Sequence, residues 1–256
     1  MTKREKDLWQ GIDSSAASAL SARDYRPTSF AQDLAQRGVE AGELLAADRT
    51  QRETNEAWIP GVEVFARKVH PQRHRGFFGE FVRRDEGVLA RIGLWPKQWS
   101  AARMFVQTAK GFHVHPPNIP EGSAVTDWLR RLFVDEPEQY SLRRYDDEQW
   151  DVMFFLQGRV EMILCDVRAG LPRRVMRFFI DGDNHRSNNN AGVVIPPGVA
   201  HAIRVEGGED VVMVYGTSTI FHPEFEGRIA SEVETAELPE SWQIFLDESG
   251  KQENRK

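Results

Sequence analysis

From residue 62 onward, hydrophobic and polar positions alternate in short runs broken by Gly, Pro or charged turns. The first series is VEVFARKV (62–69), RGFFGEFV (75–82), VLARIGL (88–94) and ARMFVQ (102–107). A second series follows: VMFFLQ (152–157), RVEMILCDV (159–167), RRVMRFFI (173–180), GVVIP (192–196), HAIRVE (201–206) and DVVMVYG (210–216). Strands at about 8–12-residue spacing, joined by tight turns, predict an antiparallel sandwich or barrel rather than alternating βαβ units. Upstream the pattern differs. Residues 8–22 and 29–52 are rich in Ala, Leu, Gln and Glu and predict two helices, with Thr28 or Ser29 available to cap the second. Gly38 and Gly42 weaken that second helix, and Trp58-Ile59-Pro60-Gly61 ends the pattern. Between the two strand series, residues 116–149 open on PPNIPEG and contain TDWLRRLF, a short amphipathic helix; this stretch is read as an insertion or lid. The organisation expected is a helical N-terminal extension (1–60), a β-barrel (61–246) and a charged, flexible tail (247–256).

Composition narrows the function classes. The chain has 256 residues, 40% hydrophobic and 28% charged, an ordinary globular balance. Its 33 Lys and Arg against 39 Asp and Glu give a net charge of −6, which argues against nucleic acid as a partner while leaving room for a local basic pocket. No apolar run reaches the roughly 20 residues of a membrane helix, and MTKREKDLWQ lacks the apolar centre of a signal peptide. A cytoplasmic protein without membrane contact is expected. Cys165 is the only cysteine, so no internal disulfide or thiolate-rich metal site can form; within VEMILCDV it reads as a small buried hydrophobe. No G-x-G-x-x-G, Walker or G-x-S-x-G pattern is present.

Two segments carry candidate chemistry. In Lys110-Gly111-Phe112-His113-Val114-His115, strand alternation puts both imidazoles on one face, which is either a wet surface or a site. In the run from Gly192 to His201, the Pro196-Pro197-Gly198 turn joins two apolar strands and delivers His201 at the start of the second. By itself this is equally a hairpin with an incidental His. His70, His74, His185 and His222 lie in turn-rich or polar stretches and read as surface.

Together the two segments resemble the paired motifs of the cupin superfamily. That resemblance implies a double-stranded β-helix, or jelly-roll, barrel. It also implies a ligand set of His113, His115, His201 and an acid with six residues between it and a following Gly; counting back from Gly158, that acid is Asp151. Three imidazoles and one carboxylate suit Fe(II), Mn(II), Ni(II) or Zn(II) without choosing among them. A narrower resemblance is to the RmlC-like branch, the dTDP-4-dehydrorhamnose 3,5-epimerase family. It rests on an ordered series from about 74 to 227: Arg75-Gly76-Phe77-Phe78-Gly79-Glu80, Phe105-Val106-Gln107, Lys110 to His113, Gln149 nine residues before Gly158, Asp166-Val167-Arg168, Ile195 to His201, Tyr215, and Pro223-Glu224-Phe225-Glu226.

The family resemblance implies an isomerase that removes a proton beside a sugar ketone and returns it on the opposite face. Carried over by position, His113 is the base and Tyr215 the acid, while Arg75, Gln107 and Lys110 are expected on the substrate-binding side. Two parts depart from the family. Asp151 stands where the enolate-binding Lys belongs, and the late acid that orients the base has no clear match, Glu232 and Glu234 being the nearest candidates. Losing that Lys and gaining His115 both move the site toward a metal-binding pattern, so a divalent metal is expected at His113, His115, Asp151 and His201. The function expected is an epimerase or isomerase acting on a keto-sugar or sugar nucleotide, as a homodimer. A metal-dependent cupin of another class, such as a dioxygenase, and a non-catalytic sugar-binding cupin are the alternatives.

Overall fold

The computed structural model describes residues 58–228 together with Gln10, Glu40 and Ala41. Two antiparallel sheets lie face to face. One has six strands in the order β1 (Glu40–Ala41), β9 (Val175–Asp181), β8 (Arg159–Asp166), β11 (Val199–Glu206), β6 (Ala109–Val114) and β13 (Gly227–Arg228). The other has five: β2 (Glu63–Ala66), β10 (Ala191–Ile195), β7 (Asp151–Gln157), β12 (Val211–Thr217) and β5 (Gln98–Met104). A separate hairpin pairs β3 (Val69–Pro71) with β4 (Phe77–Gly79). Every pairing is antiparallel, and sequence neighbours often lie in different sheets, the jelly-roll arrangement of an all-β fold.

Alternation decides which side chains fill the space between the sheets. Val160, Met162 and Leu164 of β8, Met176, Phe178 and Ile180 of β9, and Val193 and Ile195 of β10 form one buried core with Met153 and Phe155 of β7. The opposite side of β7 and β10, with Val152, Phe154 and Val194, packs against helices instead. These are α1 (Gly87–Ile92) and α2 (Val125–Arg130), the latter continuing as a wider π-type turn through Asp135. Leu89, Ile92, Leu129, Leu132, Phe133 and Trp150 are all buried in this second layer.

Three expectations change. Residues 88–94, read as a strand, contain α1; Leu89 and Ile92 lie three apart and bury one helical face, and Gly93 at φ 72° closes the helix by returning its N–H to Ala90. The insertion 116–149 does contain its helix, but it is a packed layer on the outside of the five-stranded sheet rather than a lid. In the N-terminal region, Glu40–Ala41 pairs with Phe178 and Phe179 as a short strand inside the span expected to be helical, between the two helix-weakening glycines 38 and 42. Apart from Gln10 and residues 58–60, the rest of the N-terminal extension lies outside the described residues, as does the 247–256 tail. The other strands fall where alternation puts them, except that 62–69 splits into β2 and β3, only Phe77–Gly79 of 75–82 pairs, and the strand expected at 102–107 runs from Gln98 to Met104.

Candidate functional site

A cavity of about 290 Å³ opens between the two sheets at the end where β7 begins. From the six-stranded sheet it receives Lys110, His113 and His115 of β6 and its exit, and His201 and Ile203 of β11. From the five-stranded sheet it receives Asp151 and Met153 of β7, Met213 and Tyr215 of β12, and Ala102 and Met104 of β5. Gln149, Phe221 and Glu226 complete the lining. One side is therefore polar and ionisable, and the other is largely thioether and aromatic.

The local backbone explains why Lys110 joins the imidazoles. His201 pairs with His113, but Ile203 pairs with Lys110, so two residues of β11 span three of β6. This bulge resets the alternation and turns Lys110 to the side of His113. The bulge requires glycine at 111: its φ is 135°, and a Cβ there would lie 2.6 Å from the Ala202 Cα.

The two imidazoles of the His-x-His pair have different surroundings. His115 is buried, its Nδ1 donates to the Phe225 carbonyl at 2.6 Å, and its Nε2 lies 3.0 Å from Asp151 Oδ2. His201 reaches the same Asp151 oxygen at 3.4 Å through Nε2, while its Nδ1 faces the Val199 carbonyl at 3.3 Å. Gln149 donates its amide to Asp151 Oδ1 at 2.9 Å. Donor atoms of His115, Asp151 and His201 all lie within 4.8 Å of one another. His113 stands apart from this trio. It is half-buried, its ring stacks 5.9 Å from that of His201, and its Nδ1 is 3.9 Å from Glu226 Oε2.

Electrostatics follow from this layout. Burial alone would lower the His115 pKa, but the charge and hydrogen bond of Asp151 override it and raise it to about 9. Burial would likewise raise Asp151, yet His115 chiefly, then His201, bring it down to about 2. His201 is lowered to about 4: burial and the neighbouring imidazoles outweigh its attraction to Asp151. The Glu226 carboxyl is held below its ordinary range, mainly by its interaction with His113.

Six of the residues singled out from sequence thus share one cavity: Lys110, His113, His115, Asp151, His201 and Tyr215. Two do not. Arg75 sits exposed in the β3–β4 hairpin turn, and Gln107 is exposed in the turn before β6; neither lines the cavity, because both turns carry their side chains outward from the sheet ends. Of the four residues expected to hold a metal, His115, Asp151 and His201 lie together, while His113 stands apart beside Glu226. Glu232 and Glu234 lie outside the described residues, and the carboxylate beside His113 is Glu226. Its only sequence signal was membership of the Pro223–Glu226 segment. Cys165 is buried, and His70, His74, His185 and His222 are exposed, as their sequence contexts suggest.

No family model matches the chain. The spore coat polysaccharide biosynthesis protein SpsL of Bacillus subtilis is 27% identical over 168 residues, covering 65% of this chain and 84% of SpsL. Among solved structures, the chain is similar to the epimerase RmlC of Legionella pneumophila in complex with dTDP-4-keto-L-rhamnose, at 20% identity, TM-score 0.45, and coverage of 65% of this chain and 71% of that one. It is also similar to NovW of Streptomyces spheroides, a 4-keto-6-deoxy sugar epimerase, at 17% identity, TM-score 0.47, and coverage of 68% and 71%. The rmlC epimerase of Mycobacterium tuberculosis is 19% identical, with TM-score 0.48 and coverage of 68% and 70%. Among the described residues no helix is long and apolar enough to cross a membrane.

Proposed function

We propose that this protein is an epimerase or isomerase acting on a keto-sugar, carried as a sugar nucleotide, and that it works as a homodimer. The observation that carries the reading is the placement of His113 and Tyr215 in one cavity on opposite sheets, β6 and β12. Inversion at a carbon beside a ketone needs a base on one face and a proton donor on the other. His113 is the base: it is half-exposed to the cavity, with the Glu226 carboxylate beside its Nδ1 to favour the imidazolium that forms. Tyr215 returns a proton from the opposite side. Lys110, an ammonium lining the same space, contributes positive charge toward the developing enolate oxygen. The Asp151 carboxylate, which would otherwise repel an enolate, is paired with His115. The likeness to SpsL, a polysaccharide biosynthesis protein, supports a sugar substrate.

The test is proton exchange. Incubated in D2O with a dTDP-4-keto-6-deoxyhexose, the protein is expected to place deuterium beside the ketone, read by NMR. His113→Gln should slow this by about 10²–10⁴-fold, the usual contribution of a general base. Tyr215→Phe should keep wash-in at the base's face while losing the inverted product. If no keto-sugar tried acquires deuterium, the assignment fails. Light scattering of the purified protein checks the dimer.

A further inference from the structure

The outer face of the six-stranded sheet is buried within a single chain. On β8, Val160, Met162 and Leu164 point into the barrel, so the alternate residues Ile163 and Cys165 point out. By the same alternation, Val175 of β9 and Ala200 and Ala202 of β11 share that outer face. Register lines them up: Val175 opposes Cys165, which opposes Ala200, and Ile163 opposes Ala202. All five are at most 2% exposed. Neither core cluster contains them, and α1 and α2 pack on the other sheet. Their burial comes from another part of this chain, and no second copy is needed to account for it.

The chain between β1 and Trp58 is placed to supply it. β1 pairs antiparallel with β9, Glu40 opposite Phe179 and Ala41 opposite Phe178, so the chain beyond Ala41 heads toward the Val175 end of the face. It returns at Ile59, whose N–H meets the Met176 sulfur at 3.4 Å. Both ends of the 42–57 connection are thus tied to neighbouring positions of β9, a gap on the order of 10–15 Å. Extended, that stretch reaches roughly 50 Å, several times the gap. Core side chains fill the space between the sheets around Ile59, so the surplus lies outside the sheet. The stretch carries Leu44-Leu45-Ala46-Ala47, an apolar run that starts shortly after β1 and gains by leaving water. Cys165, Ala200 and Ala202 are small, which leaves room for a segment to lie close against the strands. The chain after β13 leaves from the opposite edge, beside β6, farther from Val175 and Cys165.

We propose that residues 42–57 lie across the outer face of β9, β8 and β11 and cover Val175, Cys165, Ile163, Ala200 and Ala202. The N-terminal extension is then part of the barrel's own packing. It backs the strand that presents His201 to the cavity, because Ala200 and Ala202 flank that residue. The inference is independent of the epimerase reading, and its test uses no substrate.

Cys165, the only cysteine in the chain, reports the cover directly. In full-length protein its thiol should react with a thiol reagent such as DTNB at least ~100-fold more slowly than in denaturant, and the double variant Leu44→Asp with Leu45→Asp should raise the native rate at least ~10-fold. A second measurement leaves the cover in place. Leu44→Cys, Leu45→Cys, Ala46→Cys and Ala47→Cys are made one at a time and treated with a mild oxidant. At least one should form an intramolecular disulfide with Cys165, located by peptide mass spectrometry, since the bond needs Cα atoms within about 7 Å. Val233→Cys, Leu238→Cys and Ile244→Cys, in the chain after β13, should not. Circular dichroism confirms that each variant is folded. Rapid reaction of Cys165 in the native wild type overturns the proposal, as does an unchanged rate in the double variant. So does a disulfide formed only from the positions after β13, or from none.

Discussion

Replacing Asp151 by Asn should abolish one limb of the protein's pH–stability profile and leave the background intact. In metal-free protein, kept so with a chelator, His115 and His201 move in opposite directions from the ordinary His value of 6.5, to about 9 and about 4. Because folding raises the pKa of His115, its contribution is fully present below pH 6.5 and is lost as pH rises through 9. Folding lowers the pKa of His201, so its contribution is present above pH 6.5 and is lost as pH falls through 4. The joint contribution of the two imidazoles should therefore peak near pH 6.5. A shift of about 2.5 units at about 1.36 kcal/mol each makes either limb about 3 kcal/mol high. The lowering of Asp151 is the other end of the same ion pair and is not added. In Asp151→Asn the two largest causes that raise His115 are gone, and burial, the largest single effect, opposes the smaller ones that remain, the Phe225 carbonyl and Glu226, so the alkaline limb should vanish. Denaturant unfolding at pH 6.5 and pH 9.5, followed by tryptophan fluorescence, measures this. Wild type should lose about 3 kcal/mol more than the variant over that interval. Parallel losses in the two proteins would refute the ion-pair account of His115.

Three further outcomes follow from other parts of the fold. Arg67 grips Asp183 through two hydrogen bonds of 2.6 and 3.1 Å with both side chains almost fully buried, so Asp183→Asn, which leaves the guanidinium unpaired, should cost about 3–5 kcal/mol in the same denaturation assay. At Gly192 of β10 a Cβ would lie 2.4 Å from the Phe65 ring and 2.7 Å from that of Phe154; Gly192→Ala should thus overpack the second core layer by about 1–3 kcal/mol, seen as a lower Tm. Glu226→Gln should slow deuterium incorporation by less than the roughly 10²–10⁴-fold expected for loss of His113, and should shift the pH dependence of the rate. An unchanged pH profile would remove Glu226 from its role beside the base.

The elements with one clear period were legible from sequence because each reports its own face. Strands β6 to β12 follow alternation, and the short helix in the insertion follows its Leu and Phe spacing. Residues 88–94 were not, because Val88, Leu89, Ile92 and Leu94 suit a buried strand and a short helix alike. Packing against Leu129 and Leu132 selects the helix. Much of the site was also legible, since His113, His115 and His201 sit in compact motifs, and Asp151 was found by its spacing from Gly158. Which imidazole does what was not. The bulge at Gly111 turns Lys110 inward, and the chain returning after β12 brings Phe225 to His115 and Glu226 to His113. These contacts join residues more than a hundred positions apart, and no local periodicity encodes them. By itself the sequence determined the strand pattern, the all-β class and the inventory of ionisable groups, because those depend on neighbours along the chain. Tertiary structure decided how the groups divide: a buried trio on one oxygen, and a separate, half-exposed His113 facing Tyr215 across the cavity.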